Sequence, residues 1–193
     1  MTNTKTYDLE DEEERLEAKA DRLAEKVANI EPETPVEEQE HTEAAEEGQK
    51  TEQMLAGVRW ALNPEPDEDR EPYTEITLSG LTAGEYADVG DYAQALKEMN
   101  QSKVSKHMGA QQARRNVFAA AGVESAPFLD EGDTELYDRY RVVRGLPSPQ
   151  FVLWIEQQVD ELTTPKVEGN GFAARVAEKS TTTTRDEPTP EQS

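Results

Sequence analysis

The chain has 193 residues, of which 42 are Asp or Glu and 20 are Lys or Arg, giving a net charge of −22 at neutral pH. This excess of acid argues against nucleic-acid binding, which needs a basic surface to neutralise phosphates. The chain has no cysteine and two histidines, which excludes disulfides and thiolate metal sites and leaves little for a histidine-based relay. No apolar run approaches the ~20 residues of a membrane span, and no apolar export signal is present, so we expect a soluble intracellular protein.

The negative charge is concentrated near the N-terminus. Residues 1–72 carry 23 acidic and 8 basic residues, a net charge of −15. The overall acid excess favours a salt-loving host, whose proteins stay hydrated through surface carboxylates. An acidic arm that shields a partner-binding surface is the alternative for the N-terminal excess.

Residues 1–30 are predicted to form an acidic amphipathic helix that starts at residue 8. Four apolar residues recur every seven positions along it, namely Leu9, Leu16, Leu23 and Ile30. This spacing is typical of a solvated helix lying on a domain, and it also allows self-association through a short coiled coil. Residues 31–56 are dominated by Glu and Gln, with two prolines and few apolar residues. We expect them to be a disordered acidic linker, because they bury too little surface to offset the entropy of ordering.

Order is predicted to resume at Gly57. Alternating apolar residues at 58–62 and again at 74–78 indicate two strands, which read as a β-hairpin with a long loop. A capping box formed by Thr82 and Glu85 opens the next helix, and three further helical patterns follow, the last beginning at Ser148 and Pro149. Residues 57–163 are therefore predicted to be a compact domain, and residues 164–193 a Thr- and Pro-rich, mostly disordered tail. The predicted fold class is mainly α (α+β), a short hairpin followed by about four helices.

The sequence offers little reactive chemistry. Standard phosphate-binding, hydrolase and zinc motifs are absent, and His107 stands alone in a polar connector. The acidic run from Asp130 to Asp138 lacks the glycine and terminal glutamate of a calcium loop. We therefore predict no enzymatic activity, no catalytic or metal-binding residues and no cofactor.

A partner-binding surface is the more specific hypothesis. The last helix carries apolar residues on three sides, more than one core face needs, although a central, fully buried helix would show the same pattern. Arginines on the preceding helix form a basic patch in an arginine-poor chain, or else pair with neighbouring acids. The predicted contact residues are Tyr137, Tyr140, Phe151, Leu153, Trp154, Arg139, Arg141 and Arg144.

The order of these predicted elements resembles that in the tail assembly chaperones of tailed phages. The likeness rests on the stretch from Ile76 to Tyr86, with its Leu-Thr-x-x-Glu helix start, on the segment 116–129 with its Pro127-Phe128-Leu129, and on the Gly-Leu-Pro-Ser-Pro at 145–149 that opens the last helix. It covers about residues 57–163. The acidic N-terminal arm and the Thr-rich tail lie outside the family pattern.

The resemblance implies a non-enzymatic protein that coats the long, helical tape-measure protein before tail-tube subunits polymerise around it. The implied partners are the tape-measure protein and the tail-tube subunits, with no nucleic acid and no membrane. The implied location is the cytoplasm of a halophilic host, with the protein absent from the mature virion. A neck, tail-completion or capsid-associated virion component and an acidic cellular adaptor are the alternatives.

Overall fold

The computed structural model describes residues 3–65, 70–102, 110–130, 132–133 and 135–164. Three strands and six helices lie within these ranges. In chain order they are β1 (Thr4–Asp8), α1 (Leu9–Asn29), α2 (Pro35–Leu62), β2 (Glu75–Ser79), α3 (Ala83–Ser102), α4 (Ala110–Gly122), β3 (Val123–Ser125), α5 (Leu136–Gly145) and α6 (Pro149–Thr163). This confirms the predicted class, mainly helical with a small sheet. Residues 165–193 of the predicted tail, together with His107 and Glu131, lie outside the described residues.

The sheet is antiparallel, with β2 between β1 and β3. Tyr7 of β1 is opposite Ile76 of β2, and Leu78 of β2 is opposite Val123 of β3. The predicted hairpin is therefore wrong in its pairing. The strand at 74–78 exists, but its partners come from the N-terminus and from the segment after α4, because strand pairing depends on long-range contacts that a local pattern does not reveal.

The structure differs most from the predicted domain organisation at residues 31–62. Instead of a disordered linker followed by a strand, the chain forms the 28-residue helix α2, which begins with a capping box. The Thr34 side chain accepts from the Glu37 backbone N–H, and the Glu37 carboxylate accepts from the Thr34 backbone N–H. The few apolar residues that looked insufficient for a core recur on one helical face and pack against α1 and α6. The residues of α2 buried in this way include Ala44, Thr51, Met54, Leu55, Val58 and Ala61.

The predicted helix at 8–30 is confirmed as α1, which Asp8 caps by accepting from the backbone N–H of Glu10 at 2.9 Å. Its predicted role changes, because α1 forms a helical hairpin with α2 and contributes to the core, whereas the prediction was a solvated helix lying on a domain. Leu9 and Leu16 are fully buried in the chain's own core, whereas Leu23 and Ile30 are half-buried. The first two residues of the heptad series are therefore not available for self-association.

One hydrophobic core connects the whole described chain. It includes Tyr7 and Leu9 from the N-terminus, Met54 and Val58 from α2, and the face of α6 around Trp154. The predicted separation into an N-terminal helix, a linker and a self-contained 57–163 domain is therefore wrong. No helix in the described part combines the length and apolar character that a membrane crossing needs.

Candidate functional site

Helix α6 is central, and this explains its apolar residues on three sides. It packs against α2, α4 and β2. Phe151 and Trp154 are fully buried, and their rings stack with centroids 5.6 Å apart. Leu153 and Tyr140 are also buried. The prediction that these four side chains form an accessible contact surface is therefore corrected; the alternative, that α6 is an internal helix, describes the structure.

Three of the predicted contact residues do lie on the surface. Tyr137, Arg141 and Arg144 follow one another at i, i+4 and i+7 on α5, which places them on one helical face. The Tyr137 side chain is 52% exposed, and the Arg141 guanidinium lies 6.0 Å from the centroid of its ring. Neither arginine contacts a carboxylate among the described residues. We call these three residues the α5 stripe.

Arg139 has a different environment from the α5 stripe. Its side chain is half-buried, its Nη1 donates to the Val123 carbonyl at 2.9 Å, and its Nε donates to the Asp133 carbonyl at 3.3 Å. These bonds fasten α5 to β3 and to the loop before α5. Arg139 therefore stabilises the fold, and the structure separates it from the other arginines of the predicted patch.

An open cleft of about 450 Å³ lies where α2, α3, α4 and α6 meet. Phe118 and Leu153 line its apolar part, and Tyr86 stands at its edge with 43% of its surface exposed. Three basic side chains converge on the cleft, together with two carboxylates. We call it the cationic cleft, and its charged residues are Lys50, Arg114, Arg115, Glu156 and Asp160.

The three bases in the cationic cleft differ in their partners. Arg115 is neutralised, because its Nε donates to the Glu156 carboxylate at 2.7 Å. Arg114 instead donates to the Tyr86 hydroxyl at 2.8 Å and lies 5.7 Å from the centroid of that ring. Lys50 donates to the side-chain amide oxygen of Gln157. Two positive charges therefore have neutral partners within the described chain, and with Asp160 also in the cleft its five charged residues leave a net charge of +1, which can attract an external carboxylate.

Sequence reasoning missed this cleft. Tyr86 was noted only as the end of the stretch from Ile76, and Arg114 and Arg115 were not among the predicted contact residues. Lys50 fell within the predicted linker. The adjacent arginines in an arginine-poor chain were the only local signal, since the cleft combines side chains from four helices.

Among the described residues, two carboxyl groups have a lowered pKa, and both of them have structural roles. Hydrogen bonds from the Thr82 backbone and side chain hold the pKa of Glu85 below its usual value, and the Thr34 side chain does the same for the pKa of Glu37. Both carboxylates complete capping boxes. Across the described ranges, no group of three or more His, Cys, Asp or Glu is arranged to hold a metal ion.

The arrangement offers exposed tyrosines, each beside an arginine, at two places on the body of an acidic protein. Tyr and Arg are enriched at protein–protein interfaces and are common among the residues that dominate binding energy. Both places therefore have the chemistry of a protein-binding surface. No protein-family model, curated protein or solved structure matches this chain.

Proposed function

We propose that this protein is a non-enzymatic tail assembly chaperone, which binds the tape-measure protein and keeps it soluble while a viral tail is assembled. The observation that best supports this function is the α5 stripe. Its tyrosine is the most exposed aromatic side chain among the described residues, and two arginines extend the same face for two helical turns. A long partner helix can lie along such a face, with its apolar residues on Tyr137 and its carboxylates near the guanidinium groups.

The charge of the chain suits the same role. With a net charge of −22 the chain carries many surface carboxylates, and their hydration would keep an aggregation-prone partner dispersed even at salt concentrations that screen charge repulsion. On this proposal the protein acts in the cytoplasm of a halophilic host, releases its partner as tail-tube subunits assemble, and is absent from the finished virion. The resemblance over residues 57–163 supports this proposal as well.

Co-expression with the tape-measure protein of the same genome tests the proposal. We expect the wild-type chain to keep the tape-measure protein in the supernatant after centrifugation and to co-purify with it. The double variant Tyr137→Ala, Arg141→Ala should lose both effects. Arg22→Ala is the matched control, because Arg22 is an exposed arginine on α1 whose Nε donates only to the Ala18 carbonyl among the described residues.

Three results would contradict the proposal. The first is a wild-type chain that leaves the tape-measure protein insoluble, and the second is a stripe variant that solubilises it as well as the wild type. The third comes from mass spectrometry of purified virions: a stoichiometric copy number would make the chain a structural component rather than a chaperone. The melting temperature of each variant shows whether a loss of binding comes from unfolding.

A further inference from the structure

The turn between α1 and α2 forms an exposed tip that combines negative charge with an apolar side chain. We call residues 30–40 the arm tip. Every residue in it is exposed except Ile30 and Glu37, which are half-buried. Val36 is 66% exposed, the highest value among the large apolar side chains of the described chain. Five glutamates surround it and no lysine or arginine interrupts them; they are Glu31, Glu33, Glu37, Glu38 and Glu40.

The cationic cleft has the complementary properties. It presents Arg114 and Lys50, whose described partners are neutral, beside Phe118 and Leu153, which line the cleft although less than a tenth of each is exposed. Its edge is formed by Tyr86, one of the three large apolar side chains that remain exposed within the described ranges. An occupant that fits the cleft carries an apolar side chain between carboxylates, which is the chemistry of the arm tip.

We propose that the arm tip of one copy of this chain docks in the cationic cleft of a second copy. Val36 then covers the exposed face of Tyr86 and reaches toward Phe118, while glutamates of the tip approach Arg114 and Lys50. The contact removes apolar surface from water on both sides and pairs opposite charges at the edge, where they set orientation and specificity.

The occupant must come from another copy, because the tip cannot reach the cleft of its own chain. Val36 and Lys50 lie on the same continuous helix, α2, 14 residues apart. That separation corresponds to about 21 Å along the helix axis, so closing it would require α2 to break. The tip and the cleft are different surfaces, and the association is therefore head-to-tail, with a free tip and a free cleft at the ends of each open assembly.

The overall charge sets the conditions under which the contact forms. Two chains of net charge −22 repel each other over long distances. Salt screens this repulsion, since the Debye length falls from about 10 Å at 0.1 M to about 3 Å at 1 M ionic strength. Direct contacts between the tip and the cleft act at shorter range and are weakened less. We therefore expect association to be measurable at about 0.5 M NaCl, where the long-range repulsion is largely screened.

Sedimentation velocity of the full chain at that salt concentration tests the proposal. The wild type should associate as its concentration is raised over about a hundredfold range. Val36→Glu removes the apolar contact at the tip, and Arg114→Glu reverses the charge in the cleft. Each variant should raise the dissociation constant at least about tenfold, as expected for the loss of a charge pair or an apolar anchor at an interface.

A mixture of the two variants tests directly whether the tip of one chain binds the cleft of another. The tip of the Arg114→Glu chain and the cleft of the Val36→Glu chain are both intact, so an equimolar mixture should form heterodimers and nothing larger. Arg22→Glu on α1, outside the tip, the cleft and the α5 stripe, is the matched control and should associate like the wild type. Tyr86→Ala provides a second cleft variant should Arg114→Glu lower the melting temperature.

Several outcomes would overturn the proposal. These are a wild-type chain that stays monomeric over the whole range, association that survives both single variants, or a mixture of the variants that forms no heterodimer. A monomeric wild type that loses the tape-measure protein when Arg114 is replaced would assign the cleft to that partner instead. The chaperone proposal is tested separately through the α5 stripe.

Discussion

At the scale of single residues, Gly57 permits the closest approach between two helices of the core. A Cβ at this position would overlap the backbone carbon of Gln150 and the backbone nitrogen of Phe151, where α6 begins. Backbone atoms in the first turn of a buried helix cannot move without shifting the helix. Glycine at position 57 therefore allows α2 to lie directly against α6.

Gly57→Ala is expected to destabilise the protein by about 1–3 kcal/mol, the usual cost of overpacking a core. Gly48→Ala on the same helix is the control. A Cβ there lies at an ordinary 3.7 Å from the Cβ of Leu23, so the better helix propensity of alanine should stabilise the protein by about 0.5–1 kcal/mol. Urea unfolding measures both changes. Equal effects at the two positions would contradict the close packing of α2 on α6.

The raised pKa of Tyr7 predicts how the free energy of unfolding changes at alkaline pH. Burial raises the pKa of its hydroxyl to about 12, and the nearby Glu12 carboxylate adds to the effect. The unfolded chain ionises this tyrosine near its ordinary value of about 10, so the unfolded state loses the proton first. The stability that Tyr7 contributes is therefore complete below pH 10 and is lost as the pH rises from about 10 to 12.

Urea unfolding at a series of alkaline pH values measures this loss. Tyr7→Phe is the informative variant, because phenylalanine keeps the ring that packs edge-on against Trp154 and cannot ionise. The free energy of unfolding of the variant should fall less steeply over this pH range than that of the wild type. Parallel curves for the two proteins would show that Tyr7 does not cause the pH dependence.

At the scale of elements, the N-terminal strand and helix complete the core. β1 pairs with one edge of β2, and Tyr7, Leu9 and Leu16 are buried against residues from the rest of the chain. Arg59 of α2 reinforces the α1–α2 pairing by donating to Glu13 at 2.7 Å and to Glu17 at 3.0 Å, although such exposed ion pairs contribute little. Burial of the apolar residues is the main stabilising contribution of these elements.

Removal of residues 1–30 is therefore expected to abolish cooperative thermal unfolding of the remaining chain, measured by circular dichroism. The deletion exposes the edge of β2 and the apolar surface that α1 covers. The control replaces residues 20–46 with a short glycine-rich loop, which removes the far end of the helical hairpin but keeps Tyr7, Leu9 and Leu16. It should melt cooperatively, near the temperature of the intact chain. A truncated chain with a wild-type melting curve would support the independent 57–163 domain instead.

At the scale of the whole molecule, repulsion among carboxylates opposes the compact state. The chain carries a net charge of −22, and the ion pairs described on its surface involve only a few of its 42 acidic residues. Added salt screens the repulsion throughout the molecule, but it also weakens the few attractive pairs. Because like charges greatly outnumber the paired ones, the screening of repulsion should dominate.

The free energy of unfolding should accordingly rise as NaCl is raised from about 0.05 M to about 1 M, where the Debye length is only about 3 Å. Urea titrations at several NaCl concentrations measure this dependence. Replacing a group of exposed glutamates of α2, such as Glu38, Glu40 and Glu43, by glutamine should make it shallower. Stability that is constant or falls with salt would contradict both the prediction and the halophilic interpretation of the composition.

Much of the local structure could be predicted because local interactions specify it. The capping box of Thr82 and Glu85 and the Ser148-Pro149 start of α6 are side-chain contacts within one helical turn, and both are present. The seven-residue repeat of apolar residues indicated α1 correctly, since a helix face repeats at nearly that interval. Helix caps and apolar repeats of this kind occur along much of the chain, and together they predict the mainly helical class.

The composition of residues 31–56 was misleading for a physical reason. A segment rich in Glu and Gln lacks the apolar surface to order itself, but it has high helix propensity and a strong N-terminal cap. Helices α1 and α6 provide the missing apolar contacts. The segment is ordered because helix propensity, the N-terminal cap and these tertiary contacts together offset the entropy of ordering. Likewise, the strand pattern at 58–62 was only five residues long, and Met54, Leu55, Val58 and Ala61 together follow a helical period.

The amino-acid sequence by itself determined the acidic character of this protein, its mainly helical class and the starts of α1, α3 and α6, because these depend on composition and on contacts within a few residues. Only the tertiary structure decided which apolar side chains are buried and which are exposed. Trp154 and Phe151 became core because α2, α4 and β2 surround α6, whereas Tyr137 and Tyr86 remained at the surface beside arginines. Burial is a property of the whole packing arrangement, and the candidate binding surfaces could be located only once that arrangement was known.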